Sequence, residues 1–303
     1  MQLARKHKRE KMRKSQYIWY LFVGPMVIGL ILFHAYPIVE SLRLSFYKTN
    51  LTNEAWRGLR NYEIVLSNSV FWKGVQNTVY LGLWQLLLSI PLAFVMASLI
   101  DRLRMGKNTI KTLYFVPYIT PMIATAYVFV YVVDYQGLLN AFTGLFGLPA
   151  QEWLRYPLTS QWAVIIFNLW KGLGYTIMIV LANLQAIPPE YYEAAAIDGC
   201  SPKVAWWHIT LPNMKFTLYF LLINGMIGMF QRFADVFAIG GDNRGTLGGA
   251  ERALYTVVMF IYERGFGSYD FGVATAAANL LFAMILVLTL ISVKTTKLFS
   301  GEE

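Results

Sequence analysis

Charge is what this sequence has least of. Only 14% of its 303 residues are Asp, Glu, Lys or Arg, while 56% are hydrophobic and 16% aromatic, and the mean hydropathy is +0.45. Soluble domains carry about 25% charged residues. So few charges cannot coat an aqueous surface of this size, which points to lipid as the solvent. The single cysteine, Cys200, excludes an intrachain disulfide and any multi-cysteine metal site. The three histidines, His7, His34 and His208, lie far apart, so no ligand-spaced cluster offers a metal centre. Low-complexity sequence is absent, and no internal repeat is evident. The glycine-rich stretch 240-GGDNRGTLGG-249 lacks the lysine of a phosphate-binding loop. Glu190 and Glu193 are close together, yet no histidine cluster stands near them to complete an acid–base or nucleophilic constellation. An enzyme is therefore not expected.

What the chain does have is long apolar runs. Six segments are long enough to span a bilayer, at about 17–36, 76–100, 112–134, 161–184, 214–237 and 270–293, since about 20 apolar residues cross the hydrocarbon core. Backbone polar groups in lipid must be satisfied within the segment, so these are helices and the fold is an all-α polytopic membrane protein. A barrel would need short alternating segments instead. Pro25, Pro91, Pro117 and Pro121 are expected to kink or interrupt helices. The basic opening MQLARKHKREKMRK followed by an apolar run resembles a signal peptide, but 17-YIWYLFVGPMVIGLILFHAY-36 is long and no small-residue cleavage pattern follows. It reads as an uncleaved first span.

The net charge of +9 would suggest nucleic acid in a soluble protein. Here its placement matters more. With the N-terminus in the cytoplasm, the cytoplasmic segments hold fifteen Lys and Arg residues, including Arg102, Arg104, Lys107, Lys111, Lys203 and Lys215, against nine on the other side. The positive-inside rule then puts both termini in the cytoplasm. The charge is largely a topology signal, and no nucleic acid partner is expected. The resulting divisions are a basic cytoplasmic N-terminus (1–16), a first span (17–36), an external segment (37–75), a five-helix core (76–293) that includes a cytoplasmic loop at 185–213, and a short cytoplasmic tail (294–303). The external segments are too short for a sizeable soluble domain.

The cytoplasmic loop contains 190-EYYEAAAIDGCSPKVAWWHITLP-212. Pro188-Pro189 ends one helix and can open another. Glu190 and Glu193 lie near that helix's N-terminus, where the dipole favours negative charge. Ala194, Ala195 and Ala196 are strong helix formers with little bulk. Gly199 suits a left-handed stop, and Ser201-Pro202 is an N-cap and first-turn pair for a second helix. Pro212 limits that helix before the next span. The product is a helix–turn–helix elbow. On residues alone, a thin acidic helix for a partner's groove and a well-capped loop with no partner fit equally.

The spacing E-A-A-x-x-x-G, nine residues, I-x-L-P is met in full by Glu193, Ala194, Ala195, Gly199, Ile209, Leu211 and Pro212. This resembles the EAA loop of membrane subunits of binding-protein-dependent ATP-binding-cassette (ABC) importers. The stretches 36-YPIVESLRLSFY-47, 58-GLRNY-62, 77-NT-78, 184-LQAIPPEYYEAAAIDG-199 and 262-YERGFGSYDFGVATA-276 are similar to the carbohydrate-uptake branch of that family, the maltose-type permeases. The resemblance covers nearly the whole chain. It implies a type I ABC importer permease fold with six transmembrane helices, in a bacterial or archaeal cell membrane. It implies a second homologous permease subunit, two cytoplasmic ATPase subunits that bind ATP and magnesium, and an external solute-binding protein delivering a carbohydrate. The elbow would dock on the ATPase, with Glu193 as the acidic contact, Gly199 making the turn, and Glu190 beside them among the coupling residues. External loops, including 240–269, would receive the binding protein. Two positions depart from the pattern: Cys200 stands where alanine is usual, and Asp242 where proline is common.

Polar residues inside spans usually face a cavity or bundle interior. In the fourth span Asn168, Lys171, Gly172 and Tyr175 follow i, i+3, i+4, i+7 and share a face. In the fifth, Asn224, Gly228, Gln231, Arg232 and Asp235 lie on one side, with Met229 adjacent. These faces are candidate walls of a substrate path, and the resemblance implies the same, because the matching faces of maltose-type permeases line the sugar cavity. Close helix packing is the alternative for Gly172, Gly228 and Asn224, and Ala274 with Ala278 reads as packing only. Lys171 and Arg232 can also snorkel outward. The rival function is a stand-alone secondary transporter, which often shows inverted repeats around coupling ions.

Overall fold

The computed structural model describes residues 20–50, 52–103, 105–241 and 247–300, with side chains to residue 294. The basic N-terminus, Arg104, Asp242, Arg244 and the end of the C-terminal tail lie outside the described residues. The spans are helices, as expected. The first is α1 (Tyr20–Leu44). A short hairpin follows, β1 (Tyr47–Thr49) and β2 (Glu54–Trp56), then the short helix α2 (Arg60–Leu66). The second span, α3 (Ser69–Arg102), is longer than its apolar run and starts well before it. The third consists of α4 (Lys107–Ile119) and α5 (Met122–Val132), and α6 (Leu138–Gly144) comes after it. The fourth is α7 (Pro157–Leu184). The elbow carries α8 (Pro189–Ile197) and α9 (Pro202–Ala205). The fifth span is again a pair, α10 (Lys215–Phe230) and α11 (Ala234–Gly240). Beyond α12 (Val257–Tyr262), α13 (Phe271–Ser300) contains the sixth.

The prolines act unequally. Pro91 and Pro117 sit inside helices that continue through them. Pro121 does not: the third span bends there by 98°. The fifth bends by 47° between Phe230 and Ala234. In α1 a π-turn at Ile31–Ala35 ends two residues before Pro37, whose ring removes the N–H that the Phe33 carbonyl would accept from.

The described residues form two compact units. One holds those up to Val65 together with Arg264–Asn279. Here Asn61 fixes the chain after α1 by donating to the carbonyls of Ser45 and Tyr47, each at 2.8 Å. The Ser45 hydroxyl meets Tyr62 at 2.7 Å. Gly58 turns the chain with φ +58°, which favours glycine. Arg43 reaches Glu54 at 2.9 Å, and this bond holds the Glu54 carboxyl below its usual range. Thus 58-GLRNY-62 is a local clasp.

The other unit holds Leu66–Glu263 and the chain from Leu280. Its centre is α7: 56% of the most apolar window of this helix is buried, against 22% for α3. Ala93, Phe94, Ala97, Ile177, Val180, Leu181 and Met214 make a close-packed apolar cluster. A Cβ on Gly174 would collide with the Tyr114 carbonyl, so glycine there lets α4 and α7 touch, as small residues do in membranes. Asn77 donates to the carbonyls of Arg252 and Tyr255 at 2.8 and 3.0 Å, and the Thr78 hydroxyl accepts from the Val257 amide. The pair 77-NT-78 is therefore the anchor of the segment entering α12.

Candidate functional site

The elbow is shaped by its own backbone. Gly199 takes φ +75°, the Cys200 amide donates to the Ala195 carbonyl at 2.8 Å, and the Gly199 amide donates to Ala196 at 3.1 Å. Those two bonds are a Schellman stop. The Ser201 hydroxyl accepts from the Val204 amide and opens α9. A π-turn, Trp206–Thr210, and the short turn Leu211–Asn213 then lead toward α10. The Tyr192 hydroxyl lies 3.0 Å from the Thr210 hydroxyl and braces the two arms.

The eight residues expected to couple fall into two groups. Glu190, Glu193, Ala194 and Gly199 are exposed on α8 and its stop, with Ala195 half-buried beside them. Ile209 and Leu211 instead pack against the apolar cluster that includes Phe94 and Met214. Pro212 is exposed at the start of the last short turn. The second half of the motif thus holds the elbow on the spans, and the first half faces outward. Sequence reasoning missed Ile197, which is 86% exposed at the tip. Its signal was an isoleucine directly before the Asp-Gly stop.

The polar faces of the fourth and fifth spans meet around a cavity of about 410 Å³. Asn168, Gly172 and Tyr175 of α7 line it, together with Asn224, Gly228 and Met229 of α10 and Gln231 and Arg232 just after it. A Cβ on Gly172 or Gly228 would meet nothing within 4 Å, whereas one on Gly82 or Gly225 would strike Met229 or Leu86. Gly172 and Gly228 therefore widen the cavity, and other glycines serve close packing. Lys171 shares the face but does not line the cavity. Its ammonium donates to the Pro117 carbonyl (2.8 Å), the Thr120 carbonyl (2.7 Å) and the Thr120 hydroxyl (3.1 Å).

The wall also contains residues that spacing alone did not single out. Gln85 and Ser89 come from α3, and Tyr118 and Met122 from either side of the third span's break. Tyr118 stacks on Tyr175 with ring centres 4.9 Å apart and planes 17° apart. A polar pair at i, i+4 inside an apolar run was the available signal for Gln85 and Ser89. At one end Arg232 and Asp235 form an ion pair at 3.3 Å, with side chains 7% and 6% exposed. Asn168 donates to the same Asp235 oxygen at 2.7 Å. Arg232 Nη1 is buried and has no hydrogen-bond partner.

Among the described residues, no group of three His, Cys, Asp or Glu side chains could hold a metal ion. Six apolar spans, two of them broken at a polar cavity, and an outward-facing elbow define an integral membrane transport subunit. The profile of the family "Binding-protein-dependent transport system inner membrane component" matches residues 89–295. The chain belongs to that family and has the type I permease fold of ABC importers. It is thus a multi-pass inner-membrane protein. An arabinooligosaccharide permease, AraP of Bacillus subtilis, is 30% identical over 93% of this chain and 90% of that protein. The trehalose/maltose permease MalF of Thermococcus litoralis is 28% identical over 91% and 92%. A permease chain in the crystal structure of a bacterial importer of the acidic polysaccharide alginate superposes with a TM-score of 0.85. It is 21% identical, and the match covers 96% of this chain and 98% of that one. That likeness speaks for the fold alone.

Proposed function

We propose that the chain forms half of the translocation path of an ATP-driven importer for a neutral sugar or oligosaccharide. A second homologous permease supplies the other half, and an external solute-binding protein delivers the substrate. Two cytoplasmic ATPase subunits bind ATP and magnesium, so this chain carries neither and catalyses nothing itself. The elbow enters a groove on one ATPase through the exposed arm at Glu190–Gly199. Both termini lie in the cytoplasm, as the Lys and Arg asymmetry supports. Closure of the ATPase pair rocks the spans and alternates access to the cavity.

The observation that carries the substrate class is the chemistry of the wall. Gln85, Ser89, Asn224 and Gln231 offer amides and a hydroxyl, beside the stacked Tyr118–Tyr175 pair. Amides and hydroxyls exchange hydrogen bonds with sugar hydroxyls, and an aromatic face supports the apolar side of a pyranose. The relatives named for arabinooligosaccharides and for trehalose/maltose agree with a carbohydrate. Lys171 is turned to carbonyls away from the cavity, and the charged groups of the wall, Arg232 and Asp235, form an ion pair with no net charge, which favours a neutral sugar over an acidic one.

Affinity purification of the tagged membrane complex tests this reading. An ATPase and a second permease should come with it, and proteoliposomes should take up a neutral oligosaccharide only with ATP and the binding protein. Transport by this chain alone, without ATP, would replace it with a secondary carrier.

A further inference from the structure

Both broken spans are tied to the same helix, three residues apart. In an unbroken third span the Pro117 carbonyl would accept from the amide of residue 121. That residue is Pro121, which has no N–H. A freed carbonyl in a membrane interior is costly unless a neighbour satisfies it. The Thr120 hydroxyl donates to the Pro117 carbonyl from within the break at 2.6 Å, and Lys171 of α7 supplies the donor from outside the span, at 2.8 Å to Pro117 and 2.7 Å to the Thr120 carbonyl. Its positive charge also faces the C-terminal end of α4, the sign that the helix dipole favours.

The fifth span shows the complementary arrangement. Asp235 stands in the first turn of α11, where negative charge is favoured. Asn168, one turn before Lys171, donates to it at 2.7 Å. Positions i and i+3 are neighbours on one helix side. The Asn168 and Lys171 residues are only 6% and 4% exposed. Wall residues flank both breaks: Tyr118 and Met122 at one, Gln231 and Phe233 at the other.

We propose that Asn168 and Lys171 are positioning residues that fasten both breaks to the fourth span, so that the two breaks move together and set the cavity wall. This rests on the importer reading above. Lys171 acts on transport without touching substrate. Loosening one tie lets α7 shift, and the other break follows.

The test uses the assembled complex in lipid nanodiscs, in a Cys200→Ala background, with nitroxides at Leu113 and Ile123. These exposed positions flank the third span's break. The unmodified complex should give a narrow label distance. Lys171→Met should broaden it, and so should Asn168→Ala, although the Asn168 bond to a broken span goes to the fifth. Lys171→Arg keeps donors at the break and should keep the distance narrow. In proteoliposomes Lys171→Met should lower maximal uptake at least about tenfold, with half-saturation by loaded binding protein changed less than about twofold. An unchanged label distance in Asn168→Ala overturns the proposal. So does a Lys171→Met complex that alters half-saturation alone, which would make the ammonium a substrate contact. If Lys171→Met does not assemble, Asn168→Ala and Lys171→Arg still decide the matter. A complex with unmodified Asn168 and Lys171 that takes up no carbohydrate refutes the importer reading, and the label distances still decide the coupling of the breaks.

Discussion

The bonds that shape the elbow join residues at most 18 positions apart, Tyr192 to Thr210 being the longest. The bonds around the cavity join Lys171 to Thr120 across 51 positions and Asn168 to Asp235 across 67. The elbow is built by local backbone chemistry, and the cavity by which helices happen to meet. A change in the elbow should therefore leave the spans intact and break a partnership. A change in the cavity frame should break the spans, and one on the cavity surface should alter only the passage.

The frame gives the largest effect. Gly174→Leu would drive a side chain into the Tyr114 carbonyl, which is backbone and cannot swing aside. The complex should fail to assemble, read as loss of the tagged chain from the detergent-solubilised complex. Gly172→Leu, two residues away, points into open space. It should assemble normally and reduce uptake of larger oligosaccharides most. Equal effects of the two would erase the distinction between frame and surface.

In the elbow, Glu193→Lys reverses a charge on the exposed arm, and Gly199→Val forces a β-branched residue to φ +75°. The left-handed backbone alone costs about 1–2 kcal/mol. Yet a Cβ on Gly199 meets nothing within 4 Å, so the spans should tolerate it. Both variants should insert and pair with the second permease, but lose the ATPase on purification and lose uptake with it. Normal ATPase recovery in both would remove the elbow from coupling.

This difference in construction also explains what the sequence disclosed. Every feature of the elbow, from Pro189 through Gly199 to Ser201, was legible because its partners are sequence neighbours. The split between its outward and inward halves was not, because Ile209 and Leu211 are partly buried against a cluster that includes α3 and α7 residues far away in the chain. In the spans, periodicity placed Asn168, Gly172 and Tyr175 on one face, and the structure puts them on one cavity. It could not say that Lys171 turns to α4, because that depends on a carbonyl orphaned by Pro121. Nor could it separate cavity glycines from packing glycines, since each looks alike until a neighbour is known. The 98° bend was foreshadowed by Pro121 but not distinguished from Pro91, which leaves α3 continuous.

On the cavity surface, Tyr175→Ala removes one partner of the stack with Tyr118 and opens the wall. An aromatic contact is worth about 0.5–1.5 kcal/mol beyond its buried area, and 1.4 kcal/mol is about tenfold in affinity. Half-saturation should rise by up to about tenfold, with assembly and ATPase recovery unchanged. Tyr175→Phe should lose much less, since the ring is kept.

The smallest effect belongs to Tyr192→Phe. It deletes one hydroxyl, and with it the bond to Thr210, while leaving the ring against the apolar cluster. A typical intramolecular hydrogen bond contributes about 1 kcal/mol net, so ATPase affinity should fall by no more than about fivefold. Thr210→Val should do the same, and the double variant should cost no more than either single change, because both remove one interaction. Titration of the ATPase onto the reconstituted permease pair would measure all three. A loss of a hundredfold or more in Tyr192→Phe would mean that the elbow's outward arm is held by a single bond to its inward arm. The elbow would then depend on one side-chain bond between its arms more than on its backbone stops, and the account of it as a product of local backbone chemistry would fail at the site where it is clearest.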